Sequence, residues 1–189
     1  MTPHEQLLAF LAERSARRGN FTLASGRQSS LYIDARLTTM SPDGLATIGP
    51  LALAAIHDAG WSPDAIGGLT LGADPVSYAI AYASALAGHP IRAFTVRKEA
   101  KTHGTGKLIE GPFKPTDRVV VIEDVITTGG SALKAIDAVR AAGATVLGVL
   151  AVVDREEGGR EAIAASGVIA IALAGAAAIV ARMPESSAS

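Results

Sequence analysis

From Asp64 onward the chain alternates short, almost uninterrupted apolar runs with helix-forming segments, and few architectures accept that order. "AIGGLTL" leads to a helix from about Pro75 to Ala87, and "IRAFTV" to a polar loop. "RVVVIED" leads to a helix from about Gly130 to Ala142, and "TVLGVLAVVD" to a shorter helix and then "VIAIAL". Strands that are apolar on both faces need cover on both sides, so the order predicts a doubly wound α/β fold with a mainly parallel sheet flanked by helices. Ligands of such sheets bind beyond the carboxyl ends of the strands. The residues at those ends are Gly72-Ala73-Asp74, Arg97 to Lys107, Glu123 to Ser131 and Asp154-Arg155.

The segment before Asp64 reads differently. Leu7, Leu8 and Leu11 are at helical spacing, which predicts an amphipathic helix from Met1 to Arg18 ending before Gly19. "NFTLASGRQSSLYIDAR" has strand-forming residues on both sides of a Ser-Gly turn and predicts a hairpin. Ser41-Pro42-Asp43 is a helix start, and apolar spacing continues to Gly60. With 189 residues, 49% of them apolar, the chain suits a single domain over residues 1–183, and "PESSAS" at 184–189 reads as a disordered tail. The longest apolar run, Val168 to Ala181, is too short to cross a bilayer and contains Gly175, so it reads as a strand followed by a helix.

Charge is balanced, with 17 Lys and Arg against 18 Asp and Glu, which speaks against nucleic acid or a membrane surface as partner. Any anion site must therefore be local. The absence of cysteine excludes disulfides, thiolate metal sites and thiol nucleophiles, and fits a cytoplasmic protein. His4, His57 and His89 are scattered without metal-ligand spacing, and Trp61, Tyr78 and Tyr82 read as packing residues.

The stretch "VVVIEDVITTGGSA" runs a buried strand into two acids, then two hydroxyls and two glycines at a helix start. Exposed amides and hydroxyls at a helix N-terminus suit a phosphate, and glycine lets the backbone approach it. Glu123 and Asp124 cannot ligate phosphate, but they can accept hydrogen bonds from sugar hydroxyls or hold a hard cation. The same residues also suit a capped strand-to-helix turn with a solvated acid pair. Neither GxxxxGK[ST] nor GxGxxG after a strand occurs. From Arg97 to Lys107, four cations (Arg97, Lys98, Lys101, Lys107) stand against Glu99, with His103 beside them and glycines at 104 and 106. Such a loop can close over a polyphosphate, or it can be a solvated surface run. Asp74 and Pro75 read equally as an N-cap followed by a first-turn proline, and Arg155 as a surface residue beside Glu156 and Glu157.

"VVVIEDVITTGGSA" resembles the signature of the type I phosphoribosyltransferases. "FTLASGRQSSLYID", "RKEAKTHGTG" and "VVDREEGG" are similar to the orotate-using branch of that family. The resemblance implies a small N-terminal hood over about 1–40, the substrates orotate and phosphoribosyl pyrophosphate (PRPP), Mg2+, and a homodimer in which the basic loop reaches into the neighbour's site. By motif match it implies PRPP contacts from Arg97, Lys98, Lys101, His103, Glu123, Asp124, Thr127, Thr128, Gly129, Gly130, Ser131, Ala73 and Asp74. It implies orotate contacts from Thr127, Arg155, Ser25 and Gly26, and catalytic roles for Lys101, His103 and Asp124, with no direct protein ligand to the metal. Many members carry a lysine where this chain has Ala24, and some carry one in the loop after Gly72 where this chain reads Asp-Pro-Val-Ser; Arg27 or Arg36 could substitute for the lost contacts. Another nucleobase phosphoribosyltransferase, or a non-catalytic regulator that senses PRPP, remains as an alternative within the same fold.

Overall fold

The computed structural model describes residues 1–22, 26, 28–99 and 107–184. Helix α1 (Pro3–Phe10) opens with a capping box: Thr2 Oγ1 accepts from the Glu5 amide at 3.2 Å, and the Glu5 carboxylate accepts from the Thr2 amide at 2.8 Å. A wider π-helical turn follows over Leu11–Ser15, and strand β1 (Ala16–Thr22) begins where the spacing of leucines predicted continued helix. The helix ends early because Ala16, Arg17 and Arg18 pair with Ile33, Tyr32 and Leu31 of β2 (Gln28–Ile33), a ladder that local helix propensity does not outweigh. The predicted hairpin is therefore present and longer than its sequence limits, and a short helix α2 (Arg36–Thr39) follows it.

Helix α3 (Pro42–Asp58) starts where Ser41 Oγ accepts from the Gly44 amide at 3.2 Å. The sheet is then built from β3 (Ala65–Leu69), β4 (Arg92–Val96), β5 (Ile109–Glu110), β6 (Arg118–Ile126), β7 (Thr145–Asp154) and β8 (Ala170–Gly175). Helices α4 (Ala73–Leu86), α5 (Gly130–Ala141), α6 (Gly159–Ala165) and α7 (Ala176–Val180) alternate with them. The strand order is β5-β4-β3-β6-β7-β8, parallel except for β5, which runs antiparallel to β4. The polar loop after β4 thus returns as a two-residue edge strand that its composition did not announce.

Alternate residues of each strand serve opposite layers. Val120, Ile122, Leu150 and Val152 pack with Leu7, Leu11, Ile48, Ile56, Val76, Ile80 and Ile179, so α1, α3, α4 and α7 cover one face. Val119, Val121, Val149 and Ala151 pack with Ala135, Ile136, Val139 and Ile163 from α5 and α6 on the other. Trp61 packs as expected, filling the space that a side chain at position 148 would need. Tyr78 and Tyr82 do not: they stand on the outer side of α4, 55% and 69% exposed. Among the described residues no helix is long and apolar enough to cross a membrane.

Two features of this topology create the crevice that matters. The chain winds outward from β3 to β4, then resumes on the other side of β3 with β6, so the switch point lies between β3 and β6. There β3 pairs with β6 only over Ala65–Gly67, whereas β6 stays paired with β7 as far as Ile126. The two strands part beyond Gly67, and their exits form opposite walls.

Candidate active site between the exits of β3 and β6

A cavity of about 490 Å³ occupies that crevice. Its walls come from the β3 exit (Leu69 to Gly72), the β6 exit (Glu123 to Ser131), the end of β2 with Asp34 and Arg36, Lys98 after β4, and Arg155 and Glu157 after β7. The β3 exit can come this close because it lacks side chains where it meets its neighbours. A Cβ on Gly68 would collide with the Ile122 carbonyl, and one on Gly72 would lie 2.5 Å from Asp124 Oδ1.

The acid pair is asymmetric. Glu123 is 6% exposed, and burial first, then the neighbouring Asp124 charge, pushes its carboxyl up to about 9. Glu123 is therefore protonated near neutrality and hydrogen-bonded to Asp124, while Asp124 Oδ1 also accepts from the Val125 amide at 2.8 Å. A carboxyl whose folded pKa is raised contributes stability that is fully present below its unfolded value of 4.5 and lost as pH rises toward 9. Glu123→Gln removes that loss, so its melting temperature should exceed the parent's by an increasing margin from pH 5 to pH 8. A constant difference across that range, measured by calorimetry, would contradict the assignment.

Beyond the acids the chain turns through Thr127 and Thr128 into the N-terminus of α5. Gly129 takes a left-handed φ of 80°, and a Cβ there would be 2.8 Å from the Gly159 carbonyl, so only glycine closes the turn. No side chain caps α5, so its first amides and the Thr127, Thr128 and Ser131 hydroxyls provide donors at the positive end of a 12-residue helix. Such a helix start suits an anion.

Arg155 is buried, contrary to the surface reading of its sequence context. Its Nη2 donates to the Leu31 carbonyl at 2.9 Å, to Glu157 Oε1 at 2.8 Å and to Ser29 Oγ at 3.3 Å, while its buried Nε has no partner. The hairpin thus fixes the guanidinium from behind at the cavity wall. The loop that carries Arg155 is itself tied down. Glu156 takes a φ of 57° and its Oε2 accepts from the Ala177 amide at 3.1 Å, at the start of α7.

Of the expected PRPP contacts, Glu123, Asp124, Thr127, Thr128, Ser131 and Lys98 line one cavity together with Arg155, and Gly129 and Gly130 form the turn beneath it. Arg97 faces Glu110 at 3.6 Å instead. Ala73 is fully buried, and Asp74 is turned away from the cavity. Asp74 is not an N-cap either: α4 begins at Ala73, and the Asp74 carboxylate accepts from Thr70 at 2.7 Å and from Thr95 at 2.8 Å. Lys101, His103, Ser25, Ala24 and Arg27 lie outside the described residues, as does the tail from 185 on. Gly26 has a left-handed φ of 81°. Of the two arginines that could replace a missing lysine, Arg36 lines the cavity. It is gripped by Asp34 at 2.8 and 2.9 Å, and attraction to Asp124 adds to the upward shift of its pKa. Tyr32, Asp34 and Glu157 were not singled out from sequence. Tyr32 and Asp34 stand in the "LYID" end of the hairpin sequence, a signal that was available; Glu157 looks like any exposed acid.

Residues 40–171 match the model of the phosphoribosyl transferase domain. The orotate phosphoribosyltransferase of Aquifex aeolicus is 47% identical over 171 residues, covering 89% of this chain and 92% of that protein. The crystal structure of Mycobacterium tuberculosis orotate phosphoribosyltransferase in complex with PRPP superposes with a TM-score of 0.79 at 41% identity, over 95% of this chain and 99% of that one. An adenine phosphoribosyltransferase from Leishmania tarentolae, 19% identical with a TM-score of 0.65 over 96% and 92% of the two chains, shares the fold.

Proposed function

The chain belongs to the phosphoribosyl transferase domain family, and from that premise we propose that it transfers the phosphoribosyl group of PRPP to orotate in the cavity between β3 and β6. The products are orotidine 5′-monophosphate and pyrophosphate, a step of pyrimidine synthesis. The observation that carries this reading is the convergence on one cavity of the acid pair, an uncapped helix N-terminus and a buried arginine.

In this reading Thr127, Thr128, Gly129, Gly130 and Ser131 hold the 5-phosphate at the start of α5. Glu123 and Asp124 accept from the ribose hydroxyls, and the Asp124 carboxylate faces the positive charge that develops on the sugar. The diphosphate runs toward the Gly72 turn, with Lys98, Lys101 and His103 as its cations. Orotate lies on Thr127 and Arg155, whose guanidinium accommodates the carboxylate, with Ser25 and Gly26 on the hood side. The ring nitrogen of orotate loses its proton before attack, a C–N bond forms at C1 of the ribose, and the C–O bond to diphosphate breaks with its electron pair on the leaving group. Little proton transfer is needed, so rate comes from alignment and from neutralising the departing charge.

Mg2+ fits as an ion carried on the substrate. Asp124 offers it an oxygen at the cavity wall. When bound, the ion neutralises the leaving diphosphate.

Residues 1–183 act as one domain with a hood formed mainly by about 1–40, which is supported by the contact of Leu31 and Ser29 with Arg155. The soluble substrates make the cytoplasm the expected compartment. A homodimer is supported by the apolar outer face of α3 and α4, where Leu71, Tyr78, Tyr82 and Leu86 are each more than half exposed. Mixing Lys101→Ala subunits with Asp124→Asn subunits should restore part of the activity if the basic loop serves the neighbour's site; failure to complement would argue for sites built from one chain.

The deciding assay follows orotate consumption and pyrophosphate release at fixed Mg2+. Both should require orotate and proceed one for one, with uracil and purine bases inert. Pyrophosphate release with another base, or no turnover with PRPP bound, would overturn the reading.

A further inference from the structure

The loop after β3 carries a polar network that the reaction itself does not use. Thr70 Oγ1 donates to Asp74 Oδ2 at 2.7 Å, Thr95 Oγ1 donates to Asp74 Oδ1 at 2.8 Å, and the Tyr78 hydroxyl lies 3.2 Å from Thr95 Oγ1. One carboxylate thereby ties together the exit of β3, the end of β4 and the first turn of α4. The Thr70 amide donates to the Val96 carbonyl at 2.8 Å beside this junction, a backbone bond of the same loop. The loop so held ends at Gly72, whose backbone abuts Asp124 closely enough that a Cβ would lie 2.5 Å from its carboxylate oxygen. Leu71 lines both the cavity and the apolar groove on the α3–α4 side, so the loop is the partition between them.

We propose that Asp74 is a positioning residue for phosphoribosyl transfer: through Thr70 and Thr95 it holds the β3-exit loop against Asp124 and so sets the width of the cleft that receives the diphosphate side of PRPP. This rests on the reading of the cavity given above. The carboxylate is suited to the task because it accepts from two hydroxyls at once without a cation, and both of its oxygens are turned toward protein. An error of an ångström in the loop can cost up to about a hundredfold in rate, which is why a residue outside the cavity can matter.

The test combines kinetics with a measurement that needs no turnover. Asp74→Ala should lower kcat/KM for PRPP by between about tenfold and a hundredfold while leaving the KM for orotate within about twofold. Asp74→Asn should recover most of that loss, because an amide can still accept from one hydroxyl and donate to the other. Thr70→Val and Thr95→Val, which preserve side-chain shape, should each show part of the defect and add little to Asp74→Ala. Independently, hydrogen exchange of the ligand-free protein should show the Thr70 amide opening at least about tenfold faster in Asp74→Ala, with the β6 amides unchanged. Normal kcat/KM and normal exchange in Asp74→Ala would overturn the proposal. So would an Asp74→Asn as impaired as Asp74→Ala with both threonine variants normal, since the carboxylate would then act on the ligand directly. If orotate proved not to be the acceptor, exchange and calorimetric PRPP binding would still decide the role of Asp74.

Discussion

Replacing Arg155 by alanine should raise the KM for orotate by about a hundredfold and leave that for PRPP within about twofold. The magnitude follows from losing charge-assisted hydrogen bonds to a carboxylate, each worth about 1.5–3 kcal/mol when buried. Arg155 is 7% exposed, is anchored through Nη2 to the hairpin and to Glu157, and lines the cavity. Its conformation is therefore set before substrate arrives, and little ordering has to accompany binding. Arg155→Lys should fall between parent and alanine, because it keeps the charge and loses the planar fork. Steady-state kinetics with each substrate varied in turn provides the check, alongside a melting curve, since the anchor to Leu31 also joins hood to sheet. A selective rise in the KM for PRPP would mean that the guanidinium serves the sugar phosphate instead.

The second large effect concerns the basic loop. Lys101→Ala should lower kcat by between about a hundredfold and a thousandfold with KM values within a few-fold, the loss expected when one donor to a developing anion is removed. The base of this loop is fixed. Thr95 and Val96 pair with Glu110 and Ile109, and the Arg97 amide donates to the Leu108 carbonyl at 2.9 Å. Lys98 leaves that ladder facing the cavity. The described flanks of the cationic segment are thus joined by a short antiparallel clamp, and the segment's charge is far denser than that of a chain with a net charge of −1. An unchanged turnover number would remove Lys101 from the mechanism. A raised KM for PRPP with kcat unchanged would make it a ground-state contact.

Much of this architecture was legible because it depends on periodicity. Continuous apolar strands alternating with helices allow one family of sheets, and the carboxyl-end rule then points to the β6 exit. What escaped depends on long-range competition. Ala16 to Arg18 carry no strand signal stronger than their helical one; they are strand because Leu31 to Ile33 lie opposite. Ile109 and Glu110 become an edge strand only because β4 offers a free side. In the site, the helix-terminal donors could be read locally, since sequence neighbours form them. The burial of Arg155 could not, because its partners Ser29 and Leu31 are 126 and 124 residues away. Asp74 misled for the same reason: a Thr at position 95 decides which way its carboxylate turns.

The parting of β3 from β6 beyond Gly67 has a consequence for diversification. A gap that arises from unequal strand lengths is part of the scaffold, present whether or not anything fills it. New acceptors can be accommodated by exchanging residues at the two rims while every ladder pair stays in register. Such a frame can change its chemistry repeatedly without having to relearn how to fold.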